Sequence, residues 1–239
     1  MANTQRLDLA AGVPATSRDG ADPRMADWGL CRASYERDSC GFGMIASLDD
    51  QATHWVVETA ISSLNRLTHR GAIAADGKTG DGCGLLIKMP TRFLRAVAAE
   101  AGFTLSPRFA AGLVFLDRDP AKAENARRVL AGEIEREKLR VAGFRQLPTD
   151  PSACGVEALK TLPTIVQVFV DAGPGAGLDE ATLNRKLYMA RRRTEKIREA
   201  SDPVVYIPSL SASTIVYKGM VMPQFLGQFY PDLKDPRME

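Results

Sequence analysis

The chain has 239 residues, 45% of them hydrophobic and 25% charged, and carries a net charge of +2. This is the composition of a soluble globular protein, long enough for one large domain or two small ones. The near-neutral charge excludes a general basic field for nucleic acid, and no apolar run approaches the roughly 18 residues that a membrane span needs.

Residues 1–37 mix Ala, Gly, Asp, Arg and Pro without periodicity and read as a leader or mobile arm. Asp8, Gly12 and Pro14 interrupt any signal-peptide core, so a cytoplasmic location is expected. Cys40 to Leu48 is short, apolar and Gly-marked, which predicts a buried strand. From Ala52 to His69 the apolar residues Val56, Val57, Ala60, Ile61, Leu64 and Leu67 fall at helical spacing. Gly71 to Gly84 is a loop by composition, and Leu85 to Met89 reads as a strand.

Pro90-Thr91 opens a helix running to about Ala101, with Thr91 as its cap and Gly102 as its stop. A strand is predicted over Ala111–Leu116, and a charged amphipathic helix from Pro120 to about Lys138. Strands follow near Arg140–Gln146 and Thr164–Val170, then a long helix over Asp179–Ala200. Val204–Pro208 and Ser213–Tyr217 read as a final strand pair. The order mixes strands and helices without a strict βαβ repeat, which predicts an α+β fold with layered sheets.

The four cysteines, Cys31, Cys40, Cys83 and Cys154, are far apart and form no C-x-x-C pair. That spacing argues against structural zinc and against an iron–sulfur set. With only His54 and His69, a histidine-rich metal centre is excluded, and a Ser-His-Asp triad has few candidate bases.

Within Asp38-Ser39-Cys40-Gly41-Phe42-Gly43, two readings of Cys40 stand side by side. A free cysteine is commonly a small buried hydrophobe. If cleavage after Ser39 made Cys40 the first residue, however, the same residue would hold a thiol nucleophile and an amine base. The freed amine has an ordinary pKa of about 7.7–8.0 and could take the thiol proton without any histidine.

The run Ala75-Asp76-Gly77-Lys78-Thr79-Gly80-Asp81-Gly82-Cys83-Gly84 invites a phosphate-loop reading through its Gly-Lys-Thr. The spacing refuses it: five residues separate Gly71 from Gly77 where that motif has four, and a helix precedes the run where a strand is required. A glycine-rich backbone passing close to a neighbour or ligand is the alternative, with Cys83 structural. His69-Arg70 ends the first predicted helix, where cations favour the helix dipole for purely structural reasons. Arg191-Arg192-Arg193 with Lys196 and Arg198 is interleaved with Glu195 and Glu199, as on a solvated helix face.

Three segments together, Asp38 to Gly43, Leu67-Thr68-His69-Arg70-Gly71-Ala72 and Ala75 to Gly84, resemble the glutamate synthase family, in the N-terminal amidotransferase domain of its large subunit. Met189-Ala190-Arg191-Arg192-Arg193 and Ile215-Val216-Tyr217-Lys218-Gly219 follow that domain in order. The cysteine start is shared by all class II glutamine amidotransferases; the Gly-rich run is more specific.

The resemblance implies the αββα sandwich of N-terminal-nucleophile hydrolases, incomplete at its C-terminus. It implies a leader or propeptide over 1–39 and the front part of the amidotransferase domain over 40–239. By the same resemblance Cys40 is the nucleophile that attacks L-glutamine, forms a γ-glutamyl thioester and releases ammonia. Arg70 matches an arginine lining the nucleophile's surroundings.

No cofactor is expected in this chain; FMN and iron–sulfur clusters are implied only for the full parent enzyme. There the ammonia aminates 2-oxoglutarate, with the rest of the large subunit and a small subunit or electron donor as partners. No nucleic-acid or membrane partner is expected. The family's His-Gln-Arg-Phe-Ser-Thr-Asn and His-Asn-Gly-Glu segments, which anchor the substrate carboxylate and build the oxyanion hole, do not occur in the 239 residues. The isolated fragment is therefore expected to be inactive, with exposed sheet edges. Two other readings remain: a non-catalytic binding or regulatory module that keeps the front of the fold, and an N-terminal-nucleophile hydrolase acting on another amide.

Overall fold

The computed structural model describes residues 41–68, 71–172, 177–199, 201–202 and 204–239. The first helix, α1, spans His54–Asn65, and the first strand, β1, spans Thr79–Lys88. Then come α2 (Thr91–Glu100), β2 (Phe109–Leu116), α3 (Pro120–Arg136), β3 (Arg140–Gln146), α4 (Val156–Thr161) and β4 (Thr164–Asp171). The order closes with α5 (Glu180–Glu199), β5 (Tyr206–Ser211), β6 (Thr214–Val221) and α6 (Leu226–Phe229), with single 3-10 turns at Pro151–Ala153, Pro223–Phe225 and Pro231–Lys234. The fold is α+β, built on two antiparallel sheets.

The larger sheet has the order β3-β4-β2-β5. Its central strands are buried on both faces, which is why they read as continuous apolar runs rather than alternating ones. One face (Ala110, Val114, Val166, Val168 and Val170) meets α3 and α5. Those helices contribute Ala126, Leu130 and Ile134, and Leu183, Leu187 and Ala190, all at helical spacing. The opposite face (Ala111, Leu113, Ile165 and Phe169) packs with α2 and with the inward residues Leu85, Ile215 and Tyr217 of a β1–β6 ribbon. Each large side chain fully buried in these layers contributes about 1.5–3 kcal/mol of burial energy.

The helix ends follow local chemistry. Asp119 caps α3, accepting from the backbone N–H of Ala121 and Lys122. Gly102 stops α2 as predicted, at φ +83°, with Gly102 N donating to Ala99 O and Phe103 N to Ala98 O. Thr91 is not the cap: Pro90 holds that position, and Thr91 Oγ1 turns back to Met89 O at 3.4 Å.

Four further expectations change. Residues 41–48 form no strand; Gly41 to Met44 are exposed, and an apolar run becomes a strand only where a neighbour offers a ladder. Cys40 itself lies outside the described residues. The helix expected over Ala52–His69 is confined to His54–Asn65, and His69 lies outside the described residues. The loop expected over Gly71–Gly84 becomes strand from Thr79 onward, because β6 supplies a partner despite the glycines. Finally, β5 and β6 are not paired with each other: β5 joins β2 and β6 joins β1. Ala212 and Ser213 carry the chain from one sheet to the other. Asn184 of α5 pins this crossing, taking Ser211 Oγ and Ala212 N on its carbonyl and giving its amide to Ser213 Oγ.

Candidate active site

Both residues that the sequence singles out for chemistry, Cys40 and Arg70, lie outside the described residues. What the structure does describe is the chain that follows Cys40, the chain on either side of residues 69–70, and the whole Gly-rich run.

That run is a short hairpin flowing into β1. Ile73 bridges Gly80, and Ala74 N donates to Thr79 O at 2.8 Å. Thr79 then pairs with Val221 of β6, but the next pair is Cys83 with Gly219. Gly80, Asp81 and Gly82 therefore stand opposite Met220 alone, as a bulge. Gly82 sits at φ +114°, a conformation that L side chains rarely adopt. The bulge turns Asp81 out of the ladder and back toward the start of the hairpin, where Asp81 Oδ2 accepts the Ala72 N–H at 2.8 Å.

The Asp-Gly-Lys-Thr portion is locked onto α4. Asp76 accepts from Thr79 Oγ1 at 2.6 Å and from the backbone N–H of Thr79, Lys78 and Glu157. These donors, the Thr79 hydroxyl first, hold its carboxyl well below the usual carboxylate range. Thr79 Oγ1 in turn accepts from Ala158 N at 3.1 Å. Asp76 and Thr79 together satisfy two first-turn N–H groups of α4, whose own N-cap, Gly155, has no side chain to do so. Lys78 Nζ donates to Ser152 O at 3.2 Å and lies 5.6 Å from the centre of the Phe225 ring. The Gly-Lys-Thr is thus a docking element for a neighbouring helix, in line with its failure as a phosphate loop.

Cys83 faces the ribbon's inner side, and burial pushes its thiol up to about 12. Burial also raises the Cys154 thiol. Neither carries the low-pKa environment of a reactive thiol. Of the cations of α5, Arg191 and Arg192 pair with Glu195, Arg193 with Glu133 and Glu137, and Arg198 with Asp202. An open cleft of about 520 Å³ is lined by His54, Glu58, Ser62, Asn65 and Lys234 among others.

Among the described residues, no three His, Cys, Asp or Glu side chains converge to hold a metal. Among the same residues, no helix is long and apolar enough to cross a membrane.

Sequence reasoning missed the Asp76–Thr79–Gly155 lock. Its one local signal is the Asp-Gly-Lys-Thr turn itself, in which Asp76 accepts from backbone two and three residues on.

Residues 40–239 match the family of class-II glutamine amidotransferases, and the match begins at Cys40 itself. The chain belongs to that family and is an amidotransferase enzyme domain. It is 36% identical over 232 residues to ferredoxin-dependent glutamate synthase 2, chloroplastic, of Arabidopsis thaliana, covering 95% of this chain and 14% of that protein. It is 39% identical over 207 residues to the glutamate synthase [NADPH] large chain of Azospirillum brasilense, covering 85% of this chain and 14% of that protein. To ferredoxin-dependent glutamate synthase 2 of Synechocystis sp. it is 38% identical over 203 residues, covering 84% and 13%. The chain thus spans about a seventh of the length of these relatives.

Proposed function

We propose that this chain is the glutaminase part of a glutamate synthase, with Cys40 as an N-terminal nucleophile. The observation that carries the reading is the family match, which starts at Cys40 and extends to residue 239. Removal of residues 1–39 frees the Cys40 amine. That amine takes the thiol proton, and Sγ attacks the side-chain carbonyl carbon of L-glutamine. The carbon–nitrogen bond breaks, the ammonium group returns its proton to the leaving nitrogen, and ammonia departs from a γ-glutamyl thioester. Water then hydrolyses the thioester to glutamate and restores the thiol.

Exposure of Gly41 to Met44 supports a Cys40 placed for chemistry over one packed as a core hydrophobe. The inert thiols of Cys83 and Cys154 leave it without a rival among the described cysteines. Arg70 binds substrate beside it. The two antiparallel sheets, with helices covering the larger one, support the αββα sandwich of N-terminal-nucleophile hydrolases. The ammonia is used by the rest of the enzyme to aminate 2-oxoglutarate in the cytoplasm, with a separate electron donor.

The test is made on the protein as it occurs in its host. Intact-mass measurement should find a species that begins at Cys40, and Cys40→Ala should abolish glutamine hydrolysis. Turnover that survives Cys40→Ala would remove the nucleophile assignment. Retention of Met1 or Ala2 in every species would favour a non-catalytic module.

A further inference from the structure

We propose that the open cleft beside α1 binds a zwitterionic amino acid, with His54 and Glu58 taking its ammonium group and Lys234 its carboxylate. The proposal does not depend on the Cys40 reading and uses none of its chemistry. The cleft has a volume of about 520 Å³, room for a molecule of that size. Helix α1 supplies His54, Glu58, Ser62 and Asn65 to it, and the Pro231–Lys234 turn supplies Lys234. Steps of four, four and three residues put the α1 side chains on one helix face.

His54 sets the ammonium end. Its ring is largely buried, at 17% side-chain exposure, and Nδ1 lies 2.8 Å from Met238 O. A carbonyl oxygen only accepts, so Nδ1 carries the proton and the neutral ring leaves Nε2 as a bare acceptor. Glu58 Oε1 lies 3.7 Å from that Nε2. This is too long for a hydrogen bond, and with the ring neutral both atoms are acceptors. A primary ammonium group has three N–H donors and satisfies both at once. A metal ion would draw on the same two atoms, but among the described residues no third His, Cys, Asp or Glu side chain joins them. Lys234 is exposed and lines the same cleft, yet it is not the ion partner of Glu58. Opposite charges that share a cleft without neutralising each other match a ligand that carries both. Glu58 to Asn65 covers about 10 Å of helix, so the Ser62 hydroxyl and the Asn65 amide can meet a polar side chain extended along α1.

The test uses the full 239-residue chain with isotope-labelled histidine and a metal chelator present. The chain has 2 histidines, so NMR shows two ring signals, and His54→Gln assigns one of them by its loss. Titration with L-glutamine should shift the His54 signal and saturate in about the millimolar range, the weak affinity of a small ligand in an open site. Glu58→Gln and Lys234→Gln should each weaken binding about tenfold, as expected for loss of one charge-assisted contact. Both residues are exposed, so neither change should disturb the fold. Glutaramate lacks the ammonium group and 4-aminobutanamide lacks the carboxylate; each should bind about tenfold more weakly than L-glutamine. Cys40→Ala should leave the titration unaltered, so the cleft and the nucleophile succeed or fail separately. A His54 signal unmoved at about 50 mM L-glutamine would overturn the proposal. Undiminished affinity in Glu58→Gln or Lys234→Gln would overturn it too, as would an equal response to either half-charged analogue.

Discussion

Arg145 of β3 lays two guanidinium nitrogens on the two carboxylate oxygens of Asp232, at 2.7 and 3.0 Å, across the boundary between the larger sheet and the C-terminal turns. The pair is largely buried, at 14% and 6% side-chain exposure. Burial alone would lower the Arg145 pKa, but the hydrogen bond and charge of Asp232 more than reverse this. The same guanidinium reaches Gln167 Oε1 at 3.2 Å, so one residue ties β3, β4 and the Pro231–Lys234 turn together. Asp232→Ala leaves a buried cation unpaired and should destabilise by about 3–5 kcal/mol. Replacing both partners with apolar residues of similar size should recover much of that loss. Urea denaturation of the single and double variants measures both; a single variant within 1 kcal/mol of wild type, on the order of ordinary surface changes, would contradict this account.

Asp76 gives the protein an acid-sensitive joint. Its folded pKa is depressed below the ordinary 3.8 by the Thr79 hydroxyl and three backbone donors. The depressed folded value means that the contribution is fully present above the unfolded pKa and fades as pH falls through 3.8 toward the folded value. Asp76→Asn should flatten the pH dependence of stability in that window. Thermal melts between neutral pH and strong acid compare the slopes.

Gly155 is required by space rather than by backbone angle. A Cβ there would overlap Asp76 Oδ2 and Thr79 Oγ1, the two atoms that satisfy the first turn of α4. Gly155→Ala should destabilise by about 1–3 kcal/mol through this crowding, and combining it with Asp76→Ala should cost less than the sum of the two. Gly132, on α3 with nothing within 4 Å of its would-be Cβ, is the control: Gly132→Ala should be neutral to stabilising.

Thiol labelling separates the cysteines. With burial holding the Cys83 thiol at about 12, iodoacetamide near pH 8 should leave it unmodified in the folded protein and modify it after denaturation. Peptide mapping by mass spectrometry reads this directly. Rapid native labelling of Cys83 would place its thiol in solvent.

Much of the layering was legible because the central elements carry their own periodicities. The continuous apolar run of β2 and the Leu183, Leu187 and Ala190 stripe of α5 need nothing beyond neighbouring residues to be read. The opposite holds for α4. It has six residues and a bare glycine as N-cap, and its capping groups arrive from Asp76 and Thr79, far away in sequence. Likewise Thr79–Gly84 reads as loop by composition, since only Val221, Gly219 and Lys218 on a distant strand make it a ladder. The crossing at Ala212-Ser213 has the look of a hairpin turn; that each flanking strand has a different partner is tertiary information. For the chemistry, motif and order identified the family, whereas the aim of Asp81 depends on a bulge whose register no local pattern encodes.

The ribbon has a temporal side as well. Lys88 pairs with Thr214, so its two strands are separated by more than a hundred residues of chain. During synthesis β1, with its glycine-rich bulge, leaves the ribosome long before its partner exists. Helices α2, α3 and α5 and the larger sheet can form around it first, and the Asp81 grip on Ala72 is local enough to assemble early. The ladder that anchors this grip to the rest of the domain is among the last parts to close. A nascent chain halted before Thr214 therefore carries β1 as an unpaired strand edge, open to chaperones or to other chains.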